Sequence, residues 1–437
     1  MTAALAGVPA SVGALTKADY SLDIAPYSLE VSPHHVIRTI AYNGQVPGPL
    51  LRFQEDRLVT VAVANHTDNN EVVHWHGLFL PSDVDGATEE GTPPIPPRGQ
   101  AHYTFRPRPS GFRWYHTHTF AGGDLKKGLY TGQFGFLLIE PRENRARYDQ
   151  EVFLALHDWK ASLLGNPDGS MDPVYEVSTI NGRMLGHGEP LRVKTGQRVL
   201  LHILNSSATE VHWITLAGHQ FRVIGLDGNP VPQPKSVSML RLSPAERVST
   251  LVEMNNPGVW TMGEVRKHIM AAGMGIVVEY ANNNGKPRWQ QPESLEWNYL
   301  DFAAVDPAPS FESSVTEIPL VFESKFAGHG AMDRWTINGK SFPDTDVVTL
   351  HRGQRYRLLF KNRSTNDHPV HLHRHIFELR RFSGLPETHG IFKDTVLVES
   401  GKQVDVEFTA NDPGLTLFHC HQQNHMDEGF MMLFRYA

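Results

Sequence analysis

Cysteine is nearly absent from this 437-residue chain, and Cys420 is its single copy. One thiol excludes an intramolecular disulfide framework, so cysteine usage does not report the redox compartment. No apolar run reaches the roughly 18 residues of a membrane-spanning helix, so no membrane span is expected. Long basic runs are also missing and the formal net charge is −7, which argues against nucleic acid as a partner. The stretch from Met1 to Leu15 is small and apolar but lacks the charged n-region of a signal peptide. It is not read as an intact export signal; a removed or replaced one stays open.

What the chain has is repetition. Asn43-Gly44, Asn181-Gly182 and Asn338-Gly339 each open a similar passage. An apolar-alternating strand follows in each, at Leu51 to Asn65, Leu191 to Asn205 and Val348 to Asn362, and the next begins near His74, His212 or His368. The closing passages Gly111 to Glu140, Gly258 to Tyr280 and Gly414 to Tyr436 also align. The two-residue period dominates, Gly, Pro, Asn and Asp punctuate it, and no long amphipathic helix is evident. That pattern predicts an all-β chain of three consecutive sandwiches with antiparallel sheets, over 1–142, 143–300 and 301–437. The polar, Pro-rich stretch from Ala281 to Ser310 reads as the connection between the second and third. Sequons at Asn65, Asn205 and Asn362 recur at one repeat position, which favours a strand-end turn over glycosylation.

Histidine is abundant, with 24 copies, and it clusters by repeat. The first repeat has His74-Trp75-His76 and His116-Thr117-His118. The third has His368, His371 and His373, then His419-Cys420-His421 and His425. The second repeat puts Val211-His212-Trp213-Ile214 and Gly263-Glu264-Val265 at these places and has no paired imidazoles. A metal site is therefore expected where the first and third domains meet. On a strand, residues i and i+2 share a face while neighbours oppose. Four His-x-His pairs offer eight imidazoles, too many for one ion and suited to about three. Cys420 faces the other way and can join His368, which has opposite parity to His371 and His373. His425 lies past the strand end and can fold back to complete a trigonal His₂Cys set, the blue-copper arrangement. A histidine-rich surface, or several unrelated zinc sites, would not place four pairs at repeat-equivalent positions.

These motifs, His74-Trp-His-Gly77, Trp114-Tyr-His-Thr-His118, His368-Pro-Val-His-Leu-His373 and His419-Cys-His-Gln-Gln-Asn-His425, resemble those of the multicopper oxidases across essentially the whole chain. The resemblance implies three Greek-key cupredoxin-like domains, the middle one without copper ligands, and four copper ions: one type 1, one type 2 and two type 3. It assigns His368, Cys420 and His425 to type 1, and His74 and His371 to type 2. It gives His76, His116 and His421 to one type 3 ion and His118, His373 and His419 to the other. Phe430 takes the axial position without ligating, which implies a raised potential as in laccases. Asp85 would deliver protons; Met426 replaces a second carboxylate, leaving Asp427 and Glu428 as nearby candidates.

The implied reaction moves single electrons from a small-molecule reductant through Cys420 to His419 and His421, for the four-electron reduction of dioxygen to water. Electrons would enter at the exposed edge of His425 or His368. Phenols or aromatic amines are the leading donors, which makes the enzyme laccase-like. The rival is a cuprous-ion oxidase for copper tolerance, although Met262, Met270 and Met274 with His268 form only a loose group that reads as core packing. A copper-free structural or copper-storage protein is the alternative of another class. A monomer is expected, in the periplasm or outside the cell, with the cytoplasm as the alternative. Trp335, Trp159, His34-His35 and His157-Asp158 read as structural.

Overall fold

The computed structural model describes residues 18–141, 147–305 and 315–437. The Met1 to Leu15 stretch, the boundary at 142 and the end of the Ala281 to Ser310 connection lie outside them. Among the described residues, strands pair into six sheets, two per repeat. The first sandwich has four strands in each sheet, and the second and third each have a six-stranded and a five-stranded sheet. Sequence alternation explains the layering. In Arg355–Asn362, for example, Tyr356, Leu358 and Phe360 are buried on one face.

Two expectations are corrected. Each long apolar-alternating run is two strands in different sheets: Gly48–Gln54 then Val59–Asn65, Leu191–Val193 then Arg198–Asn205, Val348–Leu350 then Arg355–Asn362. The break falls at a residue with positive φ (Asp56, Gly196 or Gly353), which turns the chain across the sandwich without ending its apolar alternation. The sheets are also not purely antiparallel. Tyr20–Ser32 runs parallel to Val59–Asn65, Gln150–Gly165 to Arg198–Asn205, and Val315–Lys325 to Arg355–Asn362. Between these partners the chain visits the opposite sheet, so it returns in its original direction.

The repeats share their turn chemistry. Asn43, Asn181 and Asn338 all have φ near +50°, each followed by a positive-φ glycine, as a type I′ turn requires. Their side-chain oxygens accept backbone N–H bonds from Asp23, Ala155 and Val321. At the sequons, Asn65, Asn205 and Asn362 are buried and each accepts the N–H two residues on, at 2.9 Å. Their amides donate to the carbonyls of Asn69, Glu210 and Asn366. These are Asx-turns that close strand ends, as the repeat position indicated.

Ala281 to Val305 carries no strand, only the short 3₁₀ turn Tyr299–Phe302. One apolar core runs from the second sandwich into the third, joining Leu216 and Trp260 with Leu358, Cys420 and Phe430. Another joins Phe112 and Trp114 of the first to Trp159 and Leu204 of the second. No helix among the described residues is long and apolar enough to cross a membrane.

Candidate metal centre

The strand Leu415–Cys420 pairs with His368–Leu372, setting His371 opposite His419 and Val370 opposite Cys420. Alternation then separates the donors. Cys420 Sγ lies 3.7 Å from His368 Nδ1 and 3.5 Å from His425 Nδ1, and those two nitrogens are 3.0 Å apart. His425 reaches this point because the short helix Gln423–Asp427 folds back past the strand end. A point equidistant from the three atoms lies about 2 Å from each, the range of metal bonds to imidazole nitrogen and thiolate sulfur. His368 donates its Nε2–H to Ser364 Oγ at 2.8 Å, so the hydroxyl of the third Asx-turn leaves Nδ1 free for a metal.

Phe430 is buried, with its ring 4.8 Å from that of His368. Met431 packs instead with Ala87, Leu417 and Met426. Trp335 packs on this group, with ring centroids 4.0 Å from His425 and 4.8 Å from His368. Both histidines are 0% exposed, so neither offers the exposed edge that the sequence suggested. Trp335, read as structural, is itself a buried member of the core that runs into the third sandwich.

On the other face, eight imidazoles gather in three further groups: His74, His76 and His371; His76, His116 and His421; His118, His373 and His419. The first and third sandwiches each contribute four of the eight. His74 and His116 come from paired positions of Val73–His74 and Gly111–Thr117. Thr117, not cysteine, occupies the place equivalent to Cys420, and its hydroxyl bonds Thr119 at 2.9 Å.

A metal is tested by the nitrogens. His74 and His371 donate Nδ1–H to the carbonyls of Asp85 and Asp394, at 2.8 and 2.7 Å, and their Nε2 atoms are buried without a partner. His419 donates Nδ1–H to its neighbour's carbonyl at 2.8 Å, and its Nε2 faces His373 Nε2 at 3.1 Å and His118 Nε2 at 3.4 Å. His116 is fixed likewise by the Thr117 carbonyl, while both nitrogens of His421 are buried and unpartnered. Burial lowers the imidazole pKa to about 3 for His368 and His421 and about 4 for His373, so these three rings are neutral donors. Burial pushes the Cys420 thiol well up, leaving its thiolate in need of a cation. Converging, unsatisfied soft and borderline donors fit copper.

Asp85 lies at this cluster, with Oδ2 2.9 Å from His373 Nδ1 and 3.3 Å from His74 Nδ1. Burial alone would raise its pKa, but the His74 and His373 imidazoles hold it below the usual carboxylate range. Sequence reasoning missed a second carboxylate. Glu90, in the 3₁₀ turn Thr88–Glu90, is buried with Oε1 3.6 Å from His373 Nδ1. That oxygen accepts the Leu417 N–H at 2.5 Å, and Oε2 has no partner. Burial and then the Asp85 charge raise the Glu90 pKa well above the ordinary value. Asp427 and Glu428 are placed elsewhere: Asp427 accepts the N–H groups of Ala121 and Gly122, and Glu428 approaches Arg334.

The middle sandwich solves the same position differently. His212 donates from Nε2 to Asp158 at 2.8 Å and from Nδ1 to Glu264 at 3.1 Å. These carboxylates lie at opposite ring nitrogens, so they do not converge on one point. Asp158, read as structural, is one of them. Met262 and Met274 are buried in the core.

Three β-sandwiches with donor sets for copper at the first–third junction define a class of copper protein, and the comparisons agree. Three family models, each described as multicopper oxidase, match residues 27–144, 151–279 and 319–437. The chain belongs to the multicopper oxidase family, copper oxidoreductases that use dioxygen. It is 29% identical over 429 residues to Multicopper oxidase MmcO of Mycobacterium tuberculosis, covering 90% of this chain and 82% of that one. It is 23% identical over 515 residues to Laccase-1 of Cryptococcus neoformans var. neoformans, covering 95% and 79%. Its fold matches the crystal structure of Fet3p, described as a multicopper oxidase that functions in iron import, with a TM-score of 0.83. That match has 20% identity and covers 96% of this chain and 90% of that one.

Proposed function

We propose that this protein is a laccase-like oxidase holding four coppers, fed by phenols or aromatic amines. One observation carries the reading: Cys420 meets His368 and His425, while its neighbours His419 and His421 enter two separate three-imidazole groups. His368, Cys420 and His425 would hold the type 1 ion, and His74 and His371 the type 2 ion. His76, His116 and His421 would hold one type 3 ion, and His118, His373 and His419 the other. Bound copper supplies one-electron redox chemistry and the reduction of dioxygen to water.

The chain supplies the rest. A few covalent bonds from Sγ through Cys420 to either flanking histidine make a short electron path. Asp85 orients His373, and Glu90 holds a proton at its free carboxyl oxygen beside that imidazole. Phe430 offers no thioether to stabilise the cupric state, which supports a high potential suited to phenols. One chain carries both halves of the centre, so a monomer suffices.

A metal-ion donor is the second reading. Asp333, two residues from Trp335, lies within reach of the charges of Asp168 and Asp172, and His329 within reach of Asp168. Steady-state kcat/KM for cuprous ion against 2,6-dimethoxyphenol decides between them. The phenol is expected to lead, and a far faster turnover of Cu(I) sinks the laccase reading while leaving the family intact.

A further inference from the structure

The middle sandwich contributes none of the clustered donors among the described residues, yet its side chains reach two of them. Arg247 opens the strand Arg247–Glu253 and grips Asp394 with both arms, Nη1 to Oδ1 and Nη2 to Oδ2, each at 2.6 Å. Asp394 Oδ1 also accepts the Nε2–H of His76 at 3.1 Å, so the His76 lone pair lies on Nδ1, which faces His116 Nε2 at 3.4 Å. The backbone carbonyl of Asp394 accepts Nδ1–H of His371, which frees the opposite atom, Nε2, on that ring. One residue therefore sets two imidazoles, one from each outer sandwich, in opposite senses.

The middle sandwich also fixes the residues on either side. Lys393 Nζ lies 2.9 Å from Asp227 Oδ2 and 3.0 Å from Glu246 Oε1, and the Thr395 N–H donates to Asp227 Oδ2 at 3.2 Å. Every member of this network is buried. Gly77, the last residue of the first histidine motif, completes the fit. A Cβ there would stand 2.5 Å from Asp394 Oδ2 and 3.0 Å from Arg247 Nη2, and φ is +82°. Only glycine lets the carboxylate come this close to the turn after Val73–His74 that carries His76.

We propose that Arg247 and Asp394 are positioning residues: the middle sandwich, through this ion pair, locks His76 as an Nδ1 donor and His371 as an Nε2 donor. The inference rests on the copper reading above. A purely structural ion network would stabilise the junction without selecting ring nitrogens.

The metal-free protein gives a direct test. Nitrogen NMR of histidine-labelled apoprotein is expected to show His76 protonated at Nε2 and His371 at Nδ1; the reverse pattern at His76 overturns the proposal. In copper-loaded protein, Asp394→Asn and Arg247→Met are expected to hold cluster copper roughly 10- to 100-fold more weakly against a chelator, since outer partners of metal ligands carry that much. The type 2 electron paramagnetic resonance signal should change while the blue band of the Cys420 site persists, and Arg247→Lys should recover part of the loss. His212→Gln, in a separate buried ion network of the same sandwich, serves as the structural control, expected to lower thermal stability without loosening cluster copper. If it loosens copper as much as Asp394→Asn, the Arg247–Asp394 pair is merely structural and the proposal falls. If the unsubstituted chain lacks a blue band, the copper reading fails instead.

Discussion

Cys420 and Thr117 occupy equivalent strand positions, and on the copper reading the difference between sulfur and hydroxyl would decide which repeat builds a mononuclear site. Cys420→Ser is therefore expected to abolish the thiolate-to-copper colour and turnover while the imidazole cluster keeps its metal; blue colour surviving in that variant refutes the ligand assignment. Glu90→Gln keeps the shape but removes the acid. Its rapid-mixing signature should be reoxidation by dioxygen slowed roughly 100-fold, within the range a positioned acid contributes, with the rate of type 1 reduction by the donor unaltered. Equal reoxidation rates would dismiss Glu90 as a proton source. The sequence made the histidines legible because strand parity sorts them without any knowledge of tertiary contacts. Glu90 was illegible for the opposite reason: it reaches His373 of the third sandwich from an unremarkable turn in the first, and no spacing rule reports that. Trp335 was readable as core and is core, while its packing on His425 was not readable from spacing.

Strands and turns were readable in kind but not in sheet membership. The Asn-Gly and Asn-x-Ser/Thr positions marked turns that recur in all three sandwiches, because those side chains bond locally. Crossing between sheets depends on a single positive-φ residue inside an unbroken apolar pattern, which periodicity does not register. The strand His212–Leu216 shows what the equivalent element does where no second imidazole stands beside it. Burial alone would lower the His212 pKa, but Asp158 and Glu264 outweigh it and raise it to about 10 from 6.5. A raised cationic group stabilises the fold fully below pH 6.5 and loses that contribution as pH climbs through about 10. Glu264, depressed to about 2 from 4.5 despite its burial, loses its contribution as pH falls through that lower range. Replacing His212 by Gln should cost about 3–5 kcal/mol near pH 6, as breaking a buried ion pair does. Denaturant unfolding from pH 6 to 10 should show the gap to the parent narrowing; a constant gap would mean the imidazole is not charged.

At the scale of the molecule, the cluster nitrogens belong to the two outer sandwiches, so copper held there would act as a clamp between segments distant in sequence. A ligand bound only by the native state adds about 2.7 kcal/mol per site at a hundredfold excess over its dissociation constant. Chelated protein should therefore melt at a lower temperature in calorimetry, and restoring copper should reverse the shift. Identical melting curves with and without metal would contradict a clamp.

The three buried Asx-turns carry a consequence for production. Each amide of Asn65, Asn205 and Asn362 spends its hydrogens inside a strand-end turn, yet each stands in an acceptor tripeptide for oligosaccharide. A eukaryotic secretion host that attaches sugar to the nascent polypeptide would modify these nitrogens before the turns close, leaving a bulky glycan where the fold allots no room. Bacterial cytoplasmic or periplasmic expression avoids that trap. Substituting all three asparagines to evade it would trade one folding defect for another.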